Sequence, residues 1–294
     1  MSGIIDERNR TEGATLYLVA TPIGNLSDIS ERAKKVLSEV DFVAAEDTRN
    51  SAKLLSLYGI RRELVSYHEH NKAQSGQKIL ARLLSGESCA LITDAGMPAI
   101  SDPGEDMVRL CAEAGVRVSV IPGCCAAVSA LSLSALSTKS FVFEGFLPVG
   151  KGERSEKLGR IKGERRTIIF YEAPHRLQRT LSDLAQVFGA ERKITLCREL
   201  TKLNEEIIRT TLGDAVLLYT EREPRGEYAL VLEGAEEAGL PEEESAEAST
   251  LLSLTPEEHV AEYERRGMRR MDAIKAAARD RGMTKSELYK LLIQ

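Results

Sequence analysis

Cys89-Ala-Leu-Ile-Thr-Asp-Ala-Gly-Met-Pro-Ala-Ile-Ser-Asp-Pro-Gly104 is an apolar run that stops abruptly at a loop of Gly, Pro and acidic residues. An unbroken apolar run of this kind reads as a strand buried on both faces, as in a parallel sheet. A helix pattern follows, then a second strand at Val116–Ile121 and the turn Pro122-Gly123 before a small-residue helix. The two strand-turn-helix units lie about 30 residues apart, the length of one parallel βαβ unit. In open α/β sheets ligands lie beyond the carboxyl ends of the strands, where Gly lets backbone come close to a bound molecule. The eleven residues from Asp94 to Gly104 exceed the roughly 2–6 that such a connection needs. This loop is therefore read as the floor of a binding site, against the plainer reading that Gly96, Gly104 and Gly123 only close tight turns.

Working outward, the same pattern repeats. Thr15–Ala20 is a strand ending at Thr21-Pro22-Ile23-Gly24-Asn25, and a helix pattern runs from Ile29 to Val40. The turn is not GxGxxG, so no dinucleotide fingerprint is present. Asp41–Ala45 is a strand ending at Glu46-Asp47-Thr48-Arg49-Asn50, where Asp or Thr caps the next helix or the polar groups face the cleft, and the two roles are compatible. Arg62–Tyr67 is a strand closed by His68-Glu69-His70-Asn71, whose histidines read either as exposed loop residues or as site residues. Phe141–Pro148 adds one more strand and a turn at a boundary.

The second half changes rhythm. Residues 151–166 hold seven Lys or Arg against three Glu, a solvated helix face or an anion-facing loop. Strand Arg166–Tyr171, turn Glu172–His175 and helix Arg176–Phe188 follow, then strands at Lys193–Arg198, Glu206–Thr211 and Glu227–Glu233, the last two with hairpin-like alternation. Seven Glu between Glu233 and Glu247, with no basic residue and with Pro241, read as a flexible acidic linker. Thr255-Pro256-Glu257-Glu258 and Thr284-Lys-Ser-Glu287 both carry the capping-box pattern of a helix start. Between Arg265 and Gln294, nine basic and three acidic residues give a local charge of +6. Two basic helices joined by a turn at Gly282 read as a small nucleic-acid-binding module or as a cap on the body or on a partner subunit.

These readings divide the 294 residues into an N-terminal extension (1–14), an α/β domain with a parallel sheet (15–148), a second α+β domain (149–234), an acidic linker (235–254) and a basic helical tail (255–294). With 43% apolar and 29% charged residues the chain suits a soluble protein with ample core. A polar N-terminus and no uninterrupted apolar span argue against a signal peptide or membrane helix, so a cytoplasmic location is expected. Five cysteines at 89, 111, 124, 125 and 197 lack CxxC spacing, and neither Cys nor His recurs at metal-ligand spacing; reduced, mostly buried thiols and no metal are expected. The net charge of −5 excludes a polyanion-binding character for the whole chain and confines any such surface to local stretches.

Nine ordered stretches carry a resemblance: Leu16–Leu26, Ala45–Arg49, Ser66–Asn71, Asp94–Gly104, Ile121–Gly123, Phe143–Pro148, Phe170–Leu177, Cys197–Lys202 and Gly226–Gly234. Together they resemble the tetrapyrrole methylase superfamily of S-adenosylmethionine-dependent enzymes, and within it the group that methylates the 2′-oxygen of a cytidine in 16S rRNA. The resemblance implies two α/β domains with the cofactor in the cleft between them, a homodimer, and the small ribosomal subunit as partner. It places Pro22, Asp94, Gly96, Met97, Cys125, Ala126, Tyr171 and Ala229 on the cofactor. The family carries Pro-Ser-Ala where this chain has Cys124-Cys125-Ala126, which removes a hydroxyl and leaves backbone contact open.

A ribose hydroxyl attacking a sulfonium methyl needs alignment and loss of its proton. The polar strand ends supply candidates: Glu46 or His68 as base, Arg49 as phosphate or oxyanion partner, and Asp47, His70, Asn71, Arg269 and Arg270 on the substrate side. A small-molecule methylase acting on a tetrapyrrole shares the fold and cofactor floor. A non-catalytic protein that binds S-adenosylmethionine or RNA is the alternative of a different class.

Overall fold

The computed structural model describes residues 11–235, 251, 254–281 and 283–292. The expected extension at 1–14 lies mostly, and the acidic linker almost wholly, outside the described residues, as does the turn residue Gly282. The described residues fall into two compact units that meet in sequence at 235/236.

In the first unit, strands β1 (Thr15–Val19), β2 (Phe42–Ala45), β3 (Glu63–Ser66), β4 (Cys89–Ile92) and β5 (Arg117–Ile121) form one sheet in the order β3-β2-β4-β1-β5. Every pairing is parallel. Helices α1 (Glu31–Glu39), α2 (Thr48–Leu57), α3 (Lys72–Leu84), α4 (Gly104–Glu113) and α5 (Ala126–Leu133) link or follow the strands. All four residues of β2 and of β4 are buried. Strand alternation explains why: Tyr17, Val43, Ala45, Ala90 and Ile92 pack with Val36, Leu37 and Leu55 on one face. Leu16, Phe42, Ala44, Cys89 and Leu91 pack with Ile79, Leu83 and Met107 on the other. Each such fully buried aliphatic side chain contributes about 1.5–3 kcal/mol.

Strands β6 (Phe141–Gly145), β7 (Thr167–Glu172), β8 (Lys193–Arg198), β9 (Glu206–Thr211) and β10 (Tyr228–Leu232) form a second sheet, β6-β7-β10-β8-β9. Only β6 and β7 pair in parallel. Helices α6 (Lys151–Ile161), α7 (Pro174–Phe188) and α8 (Leu212–Glu221) cover one face around Phe170, Leu181, Leu196, Tyr219 and Leu230. The other face receives α5 through Ala127, Ala130 and Leu131, packed on Ile169, Cys197, Ala229 and Val231. The strand at Phe141 thus belongs to the second sheet. β9 and β10, read with hairpin-like alternation, do not pair with each other: α8 lies between them and each pairs antiparallel with β8. Thr211 starts α8 by accepting the Asp214 N–H, and the helix is too apolar all round to show a period.

The basic run at 151–166 is largely the helix α6, and it is not wholly solvated. Arg154 is 3% exposed; its Nε donates to Asp183 Oδ2 at 2.6 Å and its Nη2 to Thr180 Oγ1 at 2.8 Å. Three of the five free cysteines (89, 111 and 197) are buried and two are half-buried. Burial pushes the Cys111 and Cys197 thiols up to about 11.

The second unit contains α9 (Pro256–Arg265), α10 (Arg270–Asp280) and α11 (Lys285–Leu291) around Val260, Ile274, Ala277 and Leu288. Both expected capping boxes are present. Where two helices were expected there are three, because Gly267 at φ 92° ends the first before Arg270. Among the described residues no helix is long and apolar enough to cross a membrane.

Candidate functional site

The carboxyl ends of β1, β2, β4 and β5 open onto a cavity of about 680 Å³, closed on its far side by residues of the second sheet. Its floor is the Asp94–Gly104 loop. Thr21 and Gly96 exchange backbone hydrogen bonds of 2.9 and 3.1 Å, tying the end of β1 to the loop after β4. Gly96 stands at φ 86°, and a Cβ there would lie 3.2 Å from Ile23 Cγ2, so a side chain would meet both strain and crowding. Asp102 Oδ1 accepts the N–H groups of Ala99 (3.0 Å) and Gly104 (2.7 Å), folding the loop back on itself. Ala99 and Ser101 are held at φ 67° and 64°, a conformation that side-chain-bearing residues adopt at a cost.

On the wall formed by the ends of β2 and β4, Glu46 Oε2 accepts from Thr93 Oγ1 at 3.1 Å. Asp47 caps α2 by accepting the N–H groups of Arg49 and Asn50. The guanidinium and N–H of Arg49 hold the Asp47 carboxyl below the usual carboxylate range. Opposite, Tyr171 accepts the Ala127 N–H at 2.9 Å and so holds the start of α5, which Cys125 does not cap. Burial pushes the Tyr171 hydroxyl up to about 12. Phe143 and Phe146 meet its ring edge to face at 5.0 and 5.8 Å.

The structure brings together Glu46, Asp94, Gly96, Met97, Cys125, Ala126, Tyr171 and Ala229 on this one cavity. Pro22 lines an adjoining depression with Gly24, Asn50 and Asp94. Asp47 and Arg49 stand at the start of α2 and His68, His70 and Asn71 after β3; none of the five lines the cavity. Asn71 is occupied as a brace, accepting the His68 N–H and donating to Ser66 O. His68 Nδ1 is buried without a hydrogen-bond partner. Arg269 and Arg270 lie in the second unit, where Arg270 pairs with Glu264 at 3.5 Å.

Sequence reading missed a charged cluster from the second sheet. Lys202 Nζ lies 2.8 Å from both Glu199 Oε1 and Glu227 Oε2. Burial pulls the Lys202 ammonium down, but the two carboxylates outweigh it and raise it overall. Gly226 at φ 78° is required here, since a Cβ would fall 2.5 Å from Glu199 Cγ. Left-handed Glu199 (φ 52°) and Thr201 (φ 65°) shape the same loop. Glu199, Lys202 and Glu227 all fall in stretches that carry the family resemblance, Cys197–Lys202 and Gly226–Gly234, but nothing in their spacing brings the two stretches together.

A family model described as "Tetrapyrrole (Corrin/Porphyrin) Methylases" matches residues 15–216. The chain belongs to the tetrapyrrole methylase family. Among relatives within it, "Ribosomal RNA small subunit methyltransferase I" of Halalkalibacterium halodurans is 47% identical, covering 98% of this chain and 97% of that one. The proteins so named in Bacillus subtilis and Escherichia coli O157:H7 are 46% and 43% identical, each covering 95% of this chain and 94% of its own. Solved tetrapyrrole methylase folds align as well. Uroporphyrin-III C-methyl transferase from Thermus thermophilus, complexed with S-adenyl homocysteine, gives a TM-score of 0.55 at 18% identity over 74% of this chain and 97% of that one. A diphthine synthase gives 0.57 at 12% identity over 75% and 90%.

Proposed function

We propose that this methylase transfers the methyl group of S-adenosylmethionine to the 2′-oxygen of a cytidine ribose in 16S rRNA of the small ribosomal subunit. The observation that carries this reading is the 43–47% identity, over nearly the full chain, to proteins named for methylation of small-subunit rRNA.

The cavity fits the cofactor on its own chemistry. Among its acids Glu172 is paired with Arg176 and Glu199 and Glu227 share Lys202, while Glu46, Asp94 and Asp102 stand without a cation among the described residues, a balance that favours a cationic ligand. Asp102 Oδ2 is buried there without a hydrogen-bond partner, an acceptor left for an ammonium or hydroxyl. Bound in this cavity, S-adenosylmethionine supplies an electrophilic sulfonium methyl. The chain's own residues then orient the ribose and take its proton. Glu46 lines the cavity and is steadied by Thr93, whereas His68 stands one strand further out, so Glu46 is the base in this reading. Arg49, with 87% of its side chain exposed and oriented by Asp47, meets a phosphate at the rim. Arg269 and Arg270 of the basic tail add sequence-independent phosphate contacts. A cytosolic location and a homodimer belong to the same reading, the first supported by the ribosomal substrate and the second by family resemblance.

The test is transfer of labelled methyl from S-adenosylmethionine to purified small subunits, followed by nuclease digestion and nucleoside mass analysis. Label in 2′-O-methylcytidine is expected. A protein that binds the cofactor and leaves no label in RNA refutes the reading and returns weight to a small-molecule substrate.

A further inference from the structure

Two large apolar side chains on the cavity have no place in the core. Phe146 is 49% exposed and Ile100 is 44% exposed, and both line the cavity. Each is presented by unusual backbone. Ile100 stands between left-handed Ala99 and Ser101, and Phe146 follows Gly145 at φ 61°. The two loops touch: a Cβ on Gly145 would lie 3.0 Å from Ser101 Oγ. Ile100 and Phe146 are each one residue from that contact, so they emerge from adjoining points of the rim. The Phe146 ring meets Tyr171 at 61° and does not stack on it, which fits its half-exposed surface. Strain that holds apolar groups in solvent is found where a ligand repays it.

The charge of the cavity decides what that ligand offers. Glu172 is paired with Arg176, and Glu199 and Glu227 share Lys202, but Glu46, Asp94 and Asp102 have no cation beside them among the described residues, so the floor repels phosphate and a nucleotide that brings its ribose inside is not held there by its backbone. What remains to grip is the base, whose π-face stacks on aromatic and apolar side chains whatever its identity. We propose that Phe146 and Ile100 form a two-sided grip for the unstacked base of the target nucleotide, while Glu46 faces its ribose. The inference rests on the rRNA reading above and adds to it the residues that seat the nucleotide. It also assigns them a grip without base readout, since neither side chain carries a hydrogen-bonding group.

The test uses the full chain carrying Phe146→Ala, Phe146→Leu, Phe146→Tyr or Ile100→Ala, with S-adenosylmethionine affinity measured by calorimetry and methyl transfer to small subunits measured at varied subunit concentration. Loss of a stacked base corresponds to about ten- to hundredfold. Phe146→Ala is expected to lower kcat/KM for subunits by that factor and to leave cofactor affinity within about twofold. Phe146→Leu, which keeps bulk and loses the ring, stays low; Phe146→Tyr restores transfer; Ile100→Ala is intermediate. Wild-type-like transfer by Phe146→Leu overturns the grip. A parallel fall in cofactor affinity and transfer also overturns it, because the ring then walls the cofactor. Wild-type protein that labels no RNA fails the rRNA reading itself, a result visible before any variant is compared, and the grip falls with it.

Discussion

Replacing Arg154 by Ala should be among the most destabilising single changes in the first unit, although the residue sits in a run of charges on a helix. Its guanidinium makes two short hydrogen bonds, to Asp183 and to Thr180, and a longer one of 3.4 Å to the Pro148 carbonyl. Charge-assisted bonds of this kind contribute about 1.5–3 kcal/mol each, and breaking a buried pair costs about 3–5 kcal/mol. Asp183 keeps 31% exposure and a second cation in Arg179 at 3.8 Å, so water and Arg179 recover part of its loss. The expected cost is therefore at the lower end, about 3 kcal/mol. For a body of this size, about 2–4 °C of Tm accompanies each kcal/mol, giving a fall of roughly 6–12 °C. Thermal melts followed by circular dichroism, checked by urea midpoints with unchanged m-value, measure it. Arg179→Ala, removing an exposed and distant partner, serves as control and should cost under about 0.5 kcal/mol. A shift of under 2 °C for Arg154→Ala, or equal shifts for the two variants, would refute the argument that the buried pair holds α6 to α7.

Glu46→Gln should lower kcat for methyl transfer by about 10²–10⁴ with cofactor affinity kept; full activity would remove Glu46 from the reaction. Cys125→Ser supplies a hydroxyl at an extended N-cap position that now lacks one, and should raise stability by about 0.5–1 kcal/mol, read as an increase in Tm; a decrease would show that the thiol is packed for its size. His259 is fully buried, and burial holds its pKa below 6.5. The unfolded chain therefore takes up a proton below about pH 6.5 that the folded chain refuses, and stability of the second unit is full above that pH and falls below it. Hydrogen exchange of amides in 255–292 should be faster at pH 5.5 than at pH 7.5 relative to the intrinsic rate; equal protection would contradict the assignment. Arg269→Ala with Arg270→Ala should weaken RNA binding and flatten its salt dependence while leaving cofactor affinity unchanged, and an unaltered salt slope would exclude both as phosphate contacts.

The first sheet was legible because its inner strands β1, β2 and β4 are buried on both faces and so appear as apolar runs that stop at Gly, Pro or a cluster of polar residues. That same punctuation exposed the loops after β1, β2 and β4, and with them Glu46, Asp94, Gly96 and Met97. What escaped depended on pairing at a distance. Glu199 and Glu227 are 28 residues apart and meet only because β8 and β10 run antiparallel, with Arg198 opposite Tyr228. The strand at Phe141 reads equally well as the last of the first sheet or the first of the second, since its parallel partner follows it at Thr167. Arg154 could not be told from its solvated neighbours, because its burial comes from α7 and not from its own helix. The sequence motifs also placed the strand end at His68 beside the others, but β3 is the outermost strand of its sheet, and that position is what keeps His68 off the cavity.

The helix α5 is joined to the last strand of the first sheet and buried against the second. Ala127, Ala130, Leu131 and the bond from the Ala127 N–H to Tyr171 tie the helix to the second sheet, so it would travel with that sheet if the two moved apart. The chain therefore crosses from one sheet to the other in residues 122–125, between the end of β5 and the start of α5. Cys125 at the end of that crossing also lines the cavity, so whatever fills the cavity bears directly on the link that sets one sheet against the other.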